Sequence, residues 1–117
     1  MYAASNEAGG TSYGSRHTDK KFMFAGKTGS SQIKRFTAAQ REAEVKQTDI
    51  IYKERDHAWF VAYAPVKDPK YAISVLVEHG GSGSSAAAPV AKKVIKKVIE
   101  RHESRNVINS KTFGKNI

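Results

Sequence analysis

Two apolar runs separated by a short polar turn restrict the possible folds of this chain most strongly. The runs are HAWFVAYA, residues 57–64, and YAISVLV, residues 71–77. Each has the length of a strand, is rich in aromatic and β-branched residues, and is apolar on both faces. Between them, Asp68 and Pro69 form a turn signal. The pattern predicts a hairpin of two well-buried strands.

An amphipathic helix is predicted after the hairpin. The segment GGSGSS, residues 80–85, reads as a flexible turn, and Pro89 suits the first turn of a helix. We expect this helix from about Ser85 to Glu103, packed across one face of the sheet. Its predicted apolar stripe contains Ala87, Ala91, Val94, Ile95, Val98, Ile99 and His102. Its basic face contains Lys92, Lys93, Lys96, Lys97 and Arg101. Because like charges four residues apart destabilise a helix, tertiary packing must hold this one.

The first strand is predicted in FMFAGKTGSSQI, residues 22–33. Behind it, Thr37 and Gln40 have the form of a capping box, which predicts a short solvated helix. The fold class is therefore α+β: a three-stranded antiparallel meander with a C-terminal helix packed on one face.

The 117 residues suffice for one domain. Residues 1–20 form a polar, Gly/Ser-rich lead-in, which we call the lead-in throughout, and residues 104–117 are predicted to be a flexible polar tail. The ordered part is then expected over residues 21–103, with loose ends on both sides.

Composition narrows the classes of function. A formal net charge of +9 favours anionic partners, and the absence of cysteine excludes disulfides and thiolate metal sites. Glu78 and His79 lack the further ligands that a metal site needs, so no metal is expected. No apolar run has the length of a membrane span and the N-terminus has no signal pattern, so we expect a cytoplasmic protein if the chain is made alone.

Lys27, Thr28 and Gly29 interrupt the apolar first strand. Lys27 supplies positive potential, and Thr28 offers a hydroxyl to a carboxylate. Gly26 and Gly29 bracket this pair and leave room for a ligand beside the strand edge. The simpler alternative is that Lys27 is an edge-strand charge that discourages aggregation.

Four segments in order carry a resemblance: MYAASNEAGGTSYGSR, AGKTGSSQ, RDHAWFVAYAP and YAISVLVEHGGSGSSAAAPVAKKVI. Together they resemble the C-terminal part of the transpeptidase domain of the penicillin-binding protein 2 family of class B penicillin-binding proteins, which share a Lys-Thr-Gly signature with β-lactamases. The resemblance implies a partial penicillin-binding-protein/β-lactamase-like fold. It also implies peptidoglycan D,D-transpeptidation in cell-wall synthesis and cell shape, without a cofactor, at the periplasmic face of the inner membrane.

The same resemblance assigns roles to matching residues. Lys27 would orient the hydroxyl of the family's S-x-N element. Thr28 would bind the terminal carboxylate of a D-Ala-D-Ala stem peptide or of a β-lactam, beside Gly29. Ser30 would supply a backbone N–H of the oxyanion hole.

The family's nucleophile, in an S-x-x-K element, and its S-x-N element both precede Lys-Thr-Gly. Here Ser31 to Lys34 spells S-x-x-K, but on a strand these positions point to opposite faces. Ser104 to Asn106 spells S-x-N, but after the terminal helix. We therefore expect a fragment that lacks the nucleophilic serine and is inactive alone.

Two partners follow from that expectation: an upstream half of the same domain, and a second copy that pairs with the open edge of residues 71–77. The competing hypotheses are a non-enzymatic basic module that binds nucleic acid or anionic membrane through the Lys-rich helix, and an inactive remnant of a split gene. The family interpretation expects no nucleic acid. His57 is interpreted as a locally paired strand-end residue in preference to an acid/base group.

Overall fold

A computed structural model describes residues 1–33, 53 and 55–115 of the protein, with side chains as far as residue 109. The elements in chain order are helix α1 (Tyr2–Asn6), a 3-10 turn (Tyr13–Ser15), strands β1 (Ala25–Ser31), β2 (His57–Ala64) and β3 (Tyr71–Val77), a π-helical turn (Gly83–Ala87) and helix α2 (Ala88–Lys115). The helix predicted behind Thr37 lies outside the described residues.

The three strands form one antiparallel sheet in the order β1-β2-β3, and α2 packs on one face of it. The predicted meander with its C-terminal helix is thus confirmed, and β2 and β3 have the predicted bounds. Strand β1 begins at Ala25 instead of Phe22. Phe22 and Phe24 are buried in the core before the strand begins, so their apolar character reflects the core and not strand pairing.

The hairpin is buried on one face only, although its two strands are apolar on both faces. In β2 the alternate residues Ala58, Phe60, Ala62 and Ala64 are buried. On the opposite face Val61 is 43% exposed, and in β3 Leu76 is 44% exposed. A single helix can cover a single face, which leaves the other face of the hairpin without a second layer in the described part of the chain.

The core lies between α2 and the sheet. The rings of Phe24 and Phe60 meet edge to face, with centroids 5.7 Å apart. Small side chains at Ala58, Ala62 and Ala91 let the helix come close to the strands around these rings. The helical contribution to the core consists of Ala87, Ala88, Ala91, Ile95 and Ile99.

Helix α2 differs from its prediction in stripe and length. Val94 and Val98 of the predicted stripe are exposed, beside β3. His102 is half-buried, and its ring is hydrogen-bonded to the hydroxyl of Tyr71. The helix continues beyond Glu103 to Lys115, because no proline or glycine occurs between these residues before Gly114.

The lead-in packs against β1 and α2, where the sequence predicted a loose end. Ser5 and Ser12 are fully buried, with their Oγ atoms 2.9 Å apart. A ring nitrogen of His17, Nε2, lies 2.8 Å from the carbonyl oxygen of Lys92 in α2. Hydrogen bonds between small hydroxyls therefore hold a segment whose apolar content is too low to predict folding.

Among the described residues, no helix combines the length and the apolar character that crossing a membrane requires.

Candidate functional site

Lys27, Thr28 and Gly29 lie in the middle of β1, at one edge of the sheet. Across the ladder they stand opposite Val61, Phe60 and Trp59 of β2, respectively. No other strand in the described part of the chain pairs with the outer side of β1. The site therefore combines three side chains with a row of outward-facing backbone groups.

The lead-in covers the first part of this outer edge. The backbone N–H of Gly26 donates to Oγ of Ser5 at 3.0 Å, and the side-chain amide of Asn6 donates to the carbonyl oxygen of Phe24 at 2.9 Å. In an antiparallel strand, the N–H and the C=O of one residue point to the same side of the strand, and those of the next residue point to the other side. Residues two apart therefore share a side. Because Gly26 faces outward, Thr28 and Ser30 also present their backbone groups to the outer edge.

Two side chains of the motif, those of Lys27 and Thr28, make hydrogen bonds. The ammonium group of Lys27 is exposed and donates to the carbonyl oxygen of Thr28 at 3.0 Å, which agrees with an outward-facing Thr28 carbonyl. Oγ1 of Thr28 donates to Oγ1 of Thr11 in the lead-in at 3.2 Å. Ser30 is exposed at the open part of the edge. A cation, two hydroxyls and backbone N–H groups are the groups that bind a carboxylate.

The two glycines that flank Lys27 and Thr28 have different roles. A Cβ on Gly26 would lie 2.2 Å from Cζ of Phe60, so internal packing, and not the ligand access expected from the sequence, requires glycine there. A Cβ on Gly29 would meet only Cβ of Trp59 at 3.5 Å, which is ordinary contact. The packing of the described residues therefore does not require glycine at residue 29.

The turn before α2 presses against the back of the site. A Cβ on Gly83 would lie 2.5 Å from the carbonyl oxygen of Trp59 and 3.0 Å from Cβ of Thr28. Glycine at residue 83 therefore allows the start of the helical region to support the strand at Thr28. The sequence placed this glycine in a flexible turn, and the structure gives it a packing role.

Ser31 and Ser104, which stand in sequences that match S-x-x-K and S-x-N, form hydrogen bonds with other groups of the protein. Oγ of Ser31 accepts a hydrogen bond from the indole N–H of Trp59 at 2.8 Å, and Lys34 lies outside the described residues. Oγ of Ser104 donates to the carbonyl oxygen of Glu100 within α2 at 3.0 Å. At the far end of β1, Nδ1 of His57 accepts from the backbone N–H of His79 at 2.9 Å, which is local pairing as expected.

Sequence reasoning missed the lead-in residues that complete the site: Ser5, Asn6, Thr11 and Ser12. Ser5 and Thr11 contact β1 at Gly26 and Thr28, and Asn6 contacts Phe24 directly before the strand, 17 to 21 residues away along the chain. Ser12 acts through its contact with Ser5. A Gly/Ser-rich composition reads as a loop, and local periodicity holds no signal for such contacts.

Comparison with known proteins identifies the family. The model of the penicillin binding protein transpeptidase domain matches residues 1–96, which includes the lead-in and all three strands. The chain belongs to the penicillin-binding protein transpeptidase family. The match covers the segments that carry the resemblance, from the lead-in to the first third of α2.

Curated relatives of the chain include peptidoglycan D,D-transpeptidases named MrdA. The protein from Haemophilus influenzae is 42% identical over 96 residues, which cover 81% of this chain and 14% of that protein. The protein from Salmonella typhimurium is 36% identical over 96 residues, or 81% of this chain and 15% of that protein. The chain thus spans about one seventh of the length of these relatives.

Solved structures of penicillin-binding protein 2 share the fold. The Helicobacter pylori protein, solved in complex with MreC, superposes with a TM-score of 0.64 at 35% identity over 86% of this chain and 16% of that one. The Pseudomonas aeruginosa protein, solved in complex with WCK 5153, gives 0.56 at 33% identity over 81% of this chain and 16% of that one. These matches show a penicillin-binding protein 2 transpeptidase fold in the part covered.

Proposed function

We propose that this protein supplies the Lys-Thr-Gly wall of a peptidoglycan D,D-transpeptidase site, at which a D-Ala-D-Ala stem peptide or a β-lactam binds along the open part of the β1 edge. The observation that carries the proposal is the outward-facing backbone of Thr28 and Ser30 beside the Lys27 ammonium group. The place of action that it implies is the periplasmic face of the inner membrane.

Each group has a role in this proposal. Thr28 binds the ligand carboxylate through its hydroxyl, and Gly29 leaves the strand edge accessible to the ligand backbone. The N–H of Ser30 faces the position where an oxyanion develops, as a preformed donor. Lys27 attracts the anion and orients the serine hydroxyl of a facing S-x-N element.

We propose further that the attacking serine comes from outside the described residues of this chain. Oγ of Ser31 accepts from the indole of Trp59, and Oγ of Ser104 donates to the carbonyl oxygen of Glu100, so neither hydroxyl is hydrogen-bonded to a general base in these contacts. Acyl transfer then requires a second part of a transpeptidase domain that carries the nucleophile.

A fluorescent penicillin tests both statements. We expect no covalent label on this chain alone, and labelling of a polypeptide carrying the missing serine when the two are mixed. Labelling of the partner should fall with Thr28→Val, and the exposed Thr18→Val is the matched control. Covalent label on this chain would contradict the assignment of the nucleophile to another segment.

For the isolated chain, we propose that a second copy pairs with the edge of β3. Beside this edge lies an apolar groove of about 230 Å³. The groove is lined by Tyr71, Ala72, Ile73, Val94, Ile95, Val98 and Ile99. An antiparallel pair of β3 strands centred on Ser74 would set Ile73 against Val75 and bring no charges together, since residues 71–77 are uncharged.

The alternative of a basic module remains a prediction from the sequence. Part of the basic face of α2 packs on the protein itself, because the Lys96 ammonium nitrogen lies 5.8 Å from the centre of the Phe22 ring. A salt-dependent shift of duplex DNA or anionic vesicles, lost when the four lysines of the predicted basic face become glutamine, would favour that alternative over ours.

A further inference from the structure

We propose that Thr11 is a second substrate-binding residue, whose hydroxyl contacts the ligand carboxylate together with that of Thr28. The inference rests on the proposed function and adds a residue from the lead-in to the site. It starts from the hydrogen bond that joins Oγ1 of Thr28 to Oγ1 of Thr11, 3.2 Å apart, at the point where the lead-in stops covering the β1 edge.

The position of Thr11 is fixed by buried hydrogen bonds on its C-terminal side. The backbone N–H and the hydroxyl of Ser12 both donate to the carbonyl oxygen of Ala4, at 2.9 and 3.1 Å. Ser12 also lies within hydrogen-bond distance of Ser5, which accepts from the N–H of Gly26 in β1. The distance between Thr11 and β1 is therefore set by contacts shielded from water.

Close packing fixes the N-terminal side of Thr11. The N–H of Gly10 donates to the carbonyl oxygen of Glu7 at 3.0 Å. A Cβ on Gly10 would lie 2.4 Å from the carbonyl oxygen of Ala4, so a larger residue would push the chain off α1. Thr11 itself remains exposed. An exposed hydroxyl held between two anchored neighbours is preorganised for a ligand.

The chemistry of the pair suits a carboxylate. A hydroxyl has one proton to donate and two lone pairs to accept. Without a ligand, the hydroxyl of Thr28 donates its proton to Oγ1 of Thr11. The hydroxyl proton of Thr11 can then rotate towards another acceptor. A carboxylate has two acceptor oxygens and accepts several hydrogen bonds, so rotation of both hydroxyls replaces one neutral hydrogen bond by two charge-assisted ones.

The lead-in also restricts where a ligand can end. Ser5 and Asn6 already bind the outward backbone groups at Gly26 and Phe24. A ligand that pairs with the β1 edge therefore cannot continue past Thr28 towards Gly26. The Thr11–Thr28 pair lies at the point where such a ligand must end. This placement favours a terminal carboxylate over an internal peptide group.

The test is an NMR titration of the full ¹⁵N-labelled chain with N-acetyl-D-Ala-D-Ala, followed at the amides of Thr28, Gly29 and Ser30. The same dipeptide with a C-terminal amide should bind about tenfold more weakly, since it removes the charge-assisted hydrogen bonds. We expect Thr11→Val to weaken binding about threefold to tenfold, and Thr11→Ser to restore it. Thr18→Val is the matched control.

The outcomes separate the two proposals. If the wild-type chain shows no shifts with the acid, the carboxylate edge and the role of Thr11 both fail. If Thr28→Val loses affinity while Thr11→Val keeps it, the proposed function survives and the inference about Thr11 is overturned. Equal affinity for the acid and the amide would likewise overturn carboxylate binding by the pair.

Discussion

The two edges of the sheet are built in opposite ways. The β1 edge is polar, with a lysine, a threonine and two serines, and the lead-in closes its first part through Ser5 and Asn6. The β3 edge is uncharged and apolar, and its groove with α2 is lined by aliphatic residues and Tyr71. Both edges carry backbone N–H and C=O groups that no neighbouring strand pairs with. Within the described residues, the lead-in forms hydrogen bonds with some of these groups at the β1 edge.

This difference indicates what each edge is suited to bind. A short polar opening limited by a fixed wall suits a small ligand with a charged end. A full-length apolar strand edge with an adjoining groove suits another strand, which supplies both backbone partners and apolar side chains. We therefore expect the β1 edge to be the rigid side of the molecule and the β3 edge to be the associating side.

The largest effect is expected for Gly26→Ala, since the new methyl group would enter the space of the Phe60 ring. We expect a loss of about 1 to 3 kcal/mol in the free energy of unfolding, measured by urea denaturation. Gly29→Ala is the matched control and should change this free energy by less than about 0.5 kcal/mol. Equal losses for the two variants would contradict the different roles assigned to these glycines.

Ser5→Ala should cost slightly less. It removes the acceptor of the Gly26 N–H and leaves the buried Ser12 without its hydroxyl neighbour, at an expected cost of about 1 to 2 kcal/mol. Urea denaturation measures the loss, and hydrogen exchange at the Gly26 amide should become faster. Thr18→Ala, at an exposed lead-in position, should leave both unchanged. Unchanged exchange in Ser5→Ala would show that the lead-in does not protect the β1 edge.

At the other edge, Ser74→Lys should weaken self-association about tenfold, because the centre of an antiparallel pair would then hold two like charges. Sedimentation velocity over a concentration series measures the effect. Ser104→Lys adds the same charge on exposed α2 and should leave association unchanged. If the wild-type chain is monomeric at all concentrations, a second copy is not the partner of this edge.

The smallest effect is expected away from both edges, at the ion pair between Lys21 and Glu103, whose charged atoms are 2.7 Å apart. The hydrogen bond with Glu103 raises the pKa of Lys21. The pair's contribution is therefore present at neutral pH and is lost as the pH rises through this raised pKa. Because both side chains are about half exposed, Lys21→Gln should unfold like the wild type at pH 7. A clear loss there would show that α2 depends on this contact.

The hairpin and the motif strand could be predicted from local pattern. The bounds of β2 and β3 follow from two uninterrupted apolar runs around Asp68, whose φ of 66° is a conformation that aspartate tolerates better than most residues. The place of Lys27 on a strand followed from the apolar residues before it. The position of Lys27 at an edge of the sheet depends on the order in which the strands pair, and only the structure gives this order.

The candidate site could be predicted only in part. Lys27, Thr28, Gly29 and Ser30 are consecutive, so the motif itself gathers them. Thr11 reaches Thr28 only because Ser5, Ser12 and Gly26 join the lead-in to β1. Such a contact depends on hydroxyl pairing across 17 residues, for which the local sequence has no periodic signal.

The sequence by itself determined the number and order of the strands, the presence of the C-terminal helix and the motif, because these depend on local patterns of apolar residues, turn residues and small residues. Tertiary structure alone decided which face of the hairpin is buried, how far the lead-in covers β1 and which part of the edge stays open. The physical reason is that burial and hydrogen bonding are shared between distant segments. A serine or glycine shows its role only when the atoms that it meets are in place.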